Sequence, residues 1–428
     1  MRVLLAHNSL YYPSFGGGDK SNRLLMEALA ARGHRVRVVG RVEHFGAEAQ
    51  QRLLHELNAR SVRPESCGAS VEFNLNGVEV CILARDGSLR AYFASHVQSY
   101  DPDIILTSTD DAAHLMLETA LRAPRARVVY MVRATIALPF GPDSSLPSAF
   151  QTDALRQADG VVAVSEYVAA YTRQWGGLDA VHVPISLLEP GGYPDLGRFE
   201  NRFVSIVNPC AVKGISVFLG LAERFPATEF AAVPTWGTTA ADIAAMRRQP
   251  NVSILPATDH IDDLLRQTRV MLVPSLWAEA RSRVILEAMS RGIPVLASAV
   301  GGLAEAKLGV DYLLPVNPVV RYRSAVDELM VPAAEIPPQN IEPWSAALAG
   351  LLTDRENYQR LSAESRRAAL SYARELTVLP FEAYLNRIAS YPKRPALSLR
   401  KNARLPLSDE RRHLLAMRLK RMKRHVAE

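Results

Sequence analysis

What most constrains the fold of this chain is a rhythm that runs through it twice. An apolar run, a turn and an amphipathic stretch alternate from residue 1 to about 185, and again from 203 to about 315. The first unit is clear. RVLLA (2–6) is apolar but for Arg2, and HNSLYYPSFGGGD follows as a loop. KSNRLLMEALAARG then sets Leu24, Leu25, Ala28 and Leu29 at helical spacing, and HRVRVVG resumes an extended run after Gly33. Apolar runs joined by amphipathic helices are strands of a parallel sheet, because such crossovers cover both faces. The stretch PISLLEPGGYPDLGRFENR (184–202) has no periodicity and reads as a linker. The expected fold class is therefore α/β, with two Rossmann-like doubly wound domains facing a central cleft, at 1–185 and 203–375. A helix over 376–391 is read as crossing back to the first domain, and 392–428 is a basic tail. Within the first domain, Asn76-Gly77 between two alternating runs predicts a hairpin. After Tyr312–Pro315 the chain reads as irregular through Gln339.

Charge is uneven. Residues 393–428 hold 12 of the 50 Lys/Arg and 3 of the 44 Asp/Glu, so the rest, with 38 basic and 41 acidic residues, is near neutral. The basic balance thus belongs to the tail, where Ser408 reads as a helix N-cap and Leu415, Leu419, Met422 and Val426 share a helical face. No nucleic-acid-binding module accompanies the charge, so nucleic acid is not an expected partner. No apolar run reaches membrane-spanning length. MRVLLA enters a strand without a signal-peptide pattern, which reads as a cytoplasmic chain. Cys67, Cys81 and Cys210 lack metal-ligand spacing and read as free thiols.

The chemistry concentrates in PSLWAEARSRVILEAMSRGIPVLASAVGGLAE (274–305). A strand ends at Pro274. Glu279 follows on a loop and Glu287 on the helix it feeds, and Gly301-Gly302 opens another helix. Two carboxylates eight residues apart then lie outside the carboxyl ends of parallel strands, where open α/β sheets bind ligands. Alone, either Glu is equally well an ordinary helix acid.

Three passages together, GGGDKSNRLLMEALAARGHRV, VKG at 212–214 and EARSRVILEAMSRGIPVLASAVGGLAE, resemble the retaining family-4 type of GT-B-fold glycosyltransferase. The likeness spans the chain to about residue 390. It implies a nucleoside diphosphate sugar, with UDP as the family's prior, bound between the domains. It implies that Glu279 approaches the donor sugar and that Glu287 bonds the ribose hydroxyls. The amides of Ala280, Arg281 and Ser282 would hold sugar and diphosphate oxygens. Lys213 would meet the diphosphate, and the loop carrying Gly17 and Gly18 would approach it. No metal or other cofactor is implied.

Three departures stand out. The family's Arg five residues before the Lys is Asn208 here. The Gly-Phe-Gly after the first Glu is Ala280-Arg281-Ser282, which leaves Arg281 and Arg283 flanking the helix start as alternative sources of cationic charge. The His commonly offered near the donor sugar is replaced by Arg133, grouped here with Glu279 and Lys213 as catalytic. His7, His34, His114, His182 and His260 show no ligand spacing, and Asp110-Asp111 reads as a helix cap. The expected function is retaining transfer of a sugar to a hydroxyl or amine of a natural-product, lipid-linked or carrier-bound small molecule. A non-catalytic nucleotide-sugar-binding protein of the same fold is the alternative. The tail reads as a brace on the first domain, against docking to an acidic carrier protein or to an anionic membrane surface.

Overall fold

The computed structural model describes residues 1–392 apart from 15, 43–45, 85, 86, 328 and 330. The basic tail helix expected around 408–426 lies outside the described residues.

The first nine strands are β1 (Arg2–Ala6), β2 (Arg35–Arg41), β3 (Glu65–Cys67), β4 (Ser70–Leu75), β5 (Val78–Leu83), β6 (Ile104–Ser108), β7 (Arg127–Val132), β8 (Gly160–Ala163) and β9 (Ala180–His182). They form one sheet in the order β3-β4-β5-β2-β1-β6-β7-β8-β9. It is parallel except for the β3–β4 and β4–β5 pairs, and Asn76-Gly77 makes the turn between β4 and β5. The helices between these strands are α1 (Gly17–Ala31), α2 (Gly46–Ala59), α3 (Leu89–Tyr100), α4 (Leu115–Ala120), α5 (Ala149–Leu155) and α6 (Glu166–Gly176).

The second sheet holds β10 (Phe203–Val207), β11 (Glu229–Val233), β12 (Val252–Ile254), β13 (Thr268–Val273), β14 (Val295–Ser298) and β15 (Leu313–Leu314). Its order is β12-β11-β10-β13-β14-β15, parallel throughout. Helices α7 (Ile215–Arg224), α8 (Ala240–Arg247), α9 (Ile261–Leu265), α10 (Arg283–Ser290) and α11 (Leu303–Lys307) connect it. Each sheet has its own apolar core. The segment expected to be irregular after Pro315 instead forms an antiparallel ribbon, β16 (Arg321–Val326) with β17 (Pro332–Glu335). Its charged and proline-containing strands hide the period-2 signal, and an exposed Arg321–Glu335 ion pair at 2.8 Å joins them.

Three helices complete the chain: α12 (Glu342–Thr353), α13 (Arg355–Glu375) and α14 (Leu379–Ser390). Trp344 and Leu361 of α12 and α13 are buried in the second core. Phe381, Tyr384, Leu385 and Ile388 of α14 are buried in the first. Gly160 at the start of β8 admits this packing, since a Cβ there would collide with the Tyr384 hydroxyl.

In the first sheet the strand order reverses between β1 and β6, a point where α/β sheets open a crevice. His7, just past β1, is enclosed there. Its Nδ1 lies 3.2 Å from Asp110 and its Nε2 3.3 Å from Asp19 of α1. Asp110, read above as a cap, is thus a histidine partner, while Asp111 does cap α4 through the Met116 amide at 2.6 Å. Burial opposes a charge on His7, but the hydrogen bonds and charges of Asp110 and Asp19 outweigh it and raise its pKa to about 10.

Two outcomes are expected. Phe381→Ala should destabilise the protein by about 3–5 kcal/mol in denaturant unfolding, because it empties a fully buried site. A folded-state pKa above the unfolded value of about 6.5 means that His7 contributes stability fully below that pH and loses it as pH rises toward 10. Wild-type stability should therefore fall over that window more steeply than that of His7→Gln, measured by urea unfolding at several pH values.

Candidate functional site

The two domains enclose a cavity of about 320 Å³ that both of them line. Its floor is the Glu279 loop, between β13 and α10. This loop is pressed on two sides by backbone. Gly214, at φ +78°, lies so close to the Pro274 carbonyl that a Cβ could not fit. The turn of Gly301 and Gly302 packs on the backbone of Glu279 and Ala280, with the Gly302 amide donating to the Glu279 carbonyl at 2.6 Å. The glycines in VKG and in VGGLAE are what allow these approaches.

On this floor Lys213 pairs with Glu279, and the Ser275 hydroxyl donates to the same carboxylate at 2.6 Å. Burial alone would raise the Glu279 pKa, but the Lys213 charge outweighs it and holds the carboxyl below its usual range. The Lys213 ammonium also lies 5.0 Å from the Trp277 ring centroid. α10 begins at the cavity, and its N-cap Ser282 makes no side-chain cap bond. The first amides of that helix are therefore available to an anion.

Glu287 lies one turn into α10 and is paired with Arg283 at 3.0 Å. Burial would raise its pKa too, and the charges of Arg283 and Lys20 lower it instead. Arg283 continues across the cleft to the Leu187 carbonyl, and to the Ser21 and Ser186 hydroxyls at 3.4 Å each. A Cβ on Gly17 would sit 3.3 Å from the Arg283 side chain, and Gly18 has open space around it. Arg281 also lines the cavity, with its guanidinium 4.6 Å from the Tyr372 ring centroid. Asn208, at φ +60°, accepts from the Gly237 amide at 3.0 Å, while its buried Nδ2 has no partner. It shapes the turn that carries Trp236. Arg133 lines the cleft from the loop after β7, with its backbone amide tied to Thr109 at 3.0 Å.

The structure brings together Glu279, Lys213, Glu287, Arg283, Gly17, Asn208 and Arg133 around one cavity. It also adds residues the sequence did not point to. Ser165 donates to the Ala280 carbonyl at 2.7 Å. Glu305 accepts from the Glu166 and Tyr167 amides at 2.9 and 2.6 Å, capping α6 from the other domain. Lys20 donates to the Asp259 carbonyl at 3.2 Å. No local pattern marks these residues, because their partners lie more than a hundred residues away. Away from the cleft, Glu72, Cys81 and His96 come close enough to hold a metal ion. The Arg37 guanidinium stands 3.4 Å from the His96 ring, and burial together with Glu72 pushes the Cys81 thiol up to about 12. This group reads as a packed polar cluster.

Residues 16–186 match the glycosyl transferase 4-like domain, and residues 203–332 match glycosyl transferases group 1. The chain is 22% identical over 335 residues to an uncharacterized 42.6 kDa protein in the cps region of Klebsiella pneumoniae, covering 71% of this chain and 87% of that one. It superposes on sucrose-phosphate synthase from Thermosynechococcus elongatus with a TM-score of 0.64 at 17% identity, over 90% of this chain and 98% of that one. With Anabaena HepE in complex with UDP and glucose the TM-score is 0.59 at 16% identity, over 90% and 98% of the two chains. Two matched domains, a GT-B architecture and a cleft whose floor is the Lys213–Glu279 pair make one case: this chain belongs to the GT-B glycosyltransferases of the family-4 and group 1 type.

Proposed function

We propose that the chain transfers a sugar, with retention, from a nucleoside diphosphate sugar to a hydroxyl or amine of a small-molecule acceptor. The observation that carries this reading is the Lys213–Glu279 pair beside the uncapped start of α10. An ammonium and a set of aligned amides meet where a diphosphate would develop charge as it leaves. UDP is the favoured nucleotide, supported by the UDP and glucose bound in the HepE structure. In this reading Glu279 orients the donor sugar while Lys213 turns to the diphosphate. Glu287 receives the ribose hydroxyls when Arg283 gives way.

The bond from the anomeric carbon to the diphosphate oxygen breaks as the acceptor oxygen or nitrogen attacks on the same face. The leaving phosphate oxygen takes the acceptor's proton. His7 is not the base, since it is fully enclosed and two carboxylates hold it protonated. Cationic side chains and helix amides serve in place of a metal ion. The acceptor, a natural-product, lipid-linked or carrier-bound molecule, enters along the first-domain loops at Tyr11–Asp19 and 133–147. We place the enzyme in the cytoplasm.

Incubation with a panel of UDP- and GDP-sugars should release nucleoside diphosphate from one of them. No release from any sugar, with or without candidate acceptors, would sink the reading. Lys213→Ala should lower kcat/KM by about 10²–10³-fold, as removal of a preorganised charge at a leaving group does. Chelation with EDTA should leave the rate unchanged, and loss of activity restored by Mg²⁺ would overturn the metal-free reading.

A further inference from the structure

Five cationic side chains line the cleft: Lys20, Arg133, Lys213, Arg281 and Arg283. Four have an electrostatic partner in the protein. Lys213 has Glu279, Arg283 has Glu287, Lys20 has Glu189 at 3.2 Å, and Arg281 lies over Tyr372. Arg133 differs. Its Nη2 reaches only the Ile185 carbonyl at 3.4 Å and the Met131 sulfur at 4.0 Å, and its buried Nε has no partner. Among the described residues no carboxylate comes within ion-pairing distance of it. Burial accordingly pulls its pKa down to about 10, with Asp110 and Asp19 only partly offsetting this from a distance and Arg283 adding repulsion. Arg133 as a whole is half-buried, with its Nε shut from water and its guanidinium at the cavity wall. A guanidinium partly withdrawn from water without a counter-charge is destabilising, so its presence in a ligand cleft points to a ligand that supplies the charge.

The diphosphate is not the natural counter-ion. Its cationic ground is Lys213 and the α10 amides, on the second domain. Arg133 stands on the first domain, on the loop whose Thr135 hydroxyl reaches the Ala278 carbonyl at 3.5 Å, directly before Glu279. Arg133 thus lies on the first-domain wall of the cleft, opposite the loop that carries Glu279, on the side that the sugar-transfer reading gives to the transferred sugar and the acceptor. A planar, five-donor group in that place suits bidentate recognition of a carboxylate or phosphate.

We infer that Arg133 is the receptor for an anionic group carried by a substrate apart from the diphosphate. That group is the carboxylate of a transferred hexuronate or a carboxylate or phosphate on the acceptor. The inference rests on the sugar-transfer reading and narrows it to substrates that carry a second anionic group.

Calorimetry on the full chain tests it, with wild type, Arg133→Gln and Arg133→Lys compared. UDP-glucuronate should bind wild type roughly tenfold or more tightly than UDP-glucose if the donor carries the anion, since a charge-assisted bidentate contact is worth at least that. If the acceptor carries it, UDP-saturated wild type should prefer glucuronate or glucose 6-phosphate over glucose by a similar factor. In either case Arg133→Gln should abolish the preference and Arg133→Lys should keep part of it. Thermal unfolding shows whether each variant is folded. The inference is overturned if UDP binds but wild type shows neither preference, or if the preference survives in Arg133→Gln. Failure to bind UDP or any UDP-sugar would instead overturn the sugar-transfer reading on which it rests.

Discussion

The cleft depends on a partly buried ion pair built onto crowded backbone. Lys213 and Glu279 come from different strand ends, β10 and β13, which are neighbours in the second sheet. Backbone stitching holds them in register: the Leu276 amide donates to the Val212 carbonyl at 2.9 Å. Glycines at 214, 301 and 302 let three stretches of main chain meet where side chains would keep them apart. A pair so enclosed gains from a low local dielectric and from the Ser275 hydrogen bond, and removing either partner would strand the other charge. The same pair therefore keeps a cationic ammonium and an anionic carboxylate together at the cleft floor.

Around this floor the domains meet through polar contacts. Arg283 crosses the cleft to Ser21, Ser186 and the linker, Ser165 bonds the Ala280 carbonyl, and Glu305 caps α6. Each contact joins a residue next to the cleft floor to the first domain. Arg283 joins the two for that reason: whatever displaces it from Glu287 also alters a contact between the domains. α14 adds a second, apolar link by burying Phe381 and Leu385 in the first core although it follows the second domain in sequence.

Much of the fold was legible because it is written in local periodicity. The parallel strands are apolar on both faces, the Asn76-Gly77 turn has its own chemistry, and Gly33 ends α1. The ribbon β16–β17 was not legible, since Arg321, Arg323 and Pro332 mask alternation and the strands pair only with each other. At the site, Glu279 and Glu287 were visible through their spacing after a strand end, and Lys213 through the family resemblance of VKG. The charge attributed to Arg281 and Arg283 was visible as charge but not as direction. One lies over Tyr372 and the other holds Glu287 and the opposite domain. His7 carried no signal at all, since its partners Asp19 and Asp110 lie 12 and 103 positions away.

The sequence by itself determined the alternation of strand and helix, the break between two domains, and the residue types on the cleft floor. These depend on neighbours within a turn or two of the chain. Only the tertiary structure decided which charges are spent inside the protein and which are left for a ligand. Pairing is a matter of distances across the cleft, and burial sets how much an unpaired charge matters. Arg283 and Arg133 look alike as letters; one is neutralised by Glu287 at 3.0 Å, and the other faces the cavity with a buried Nε and no carboxylate beside it.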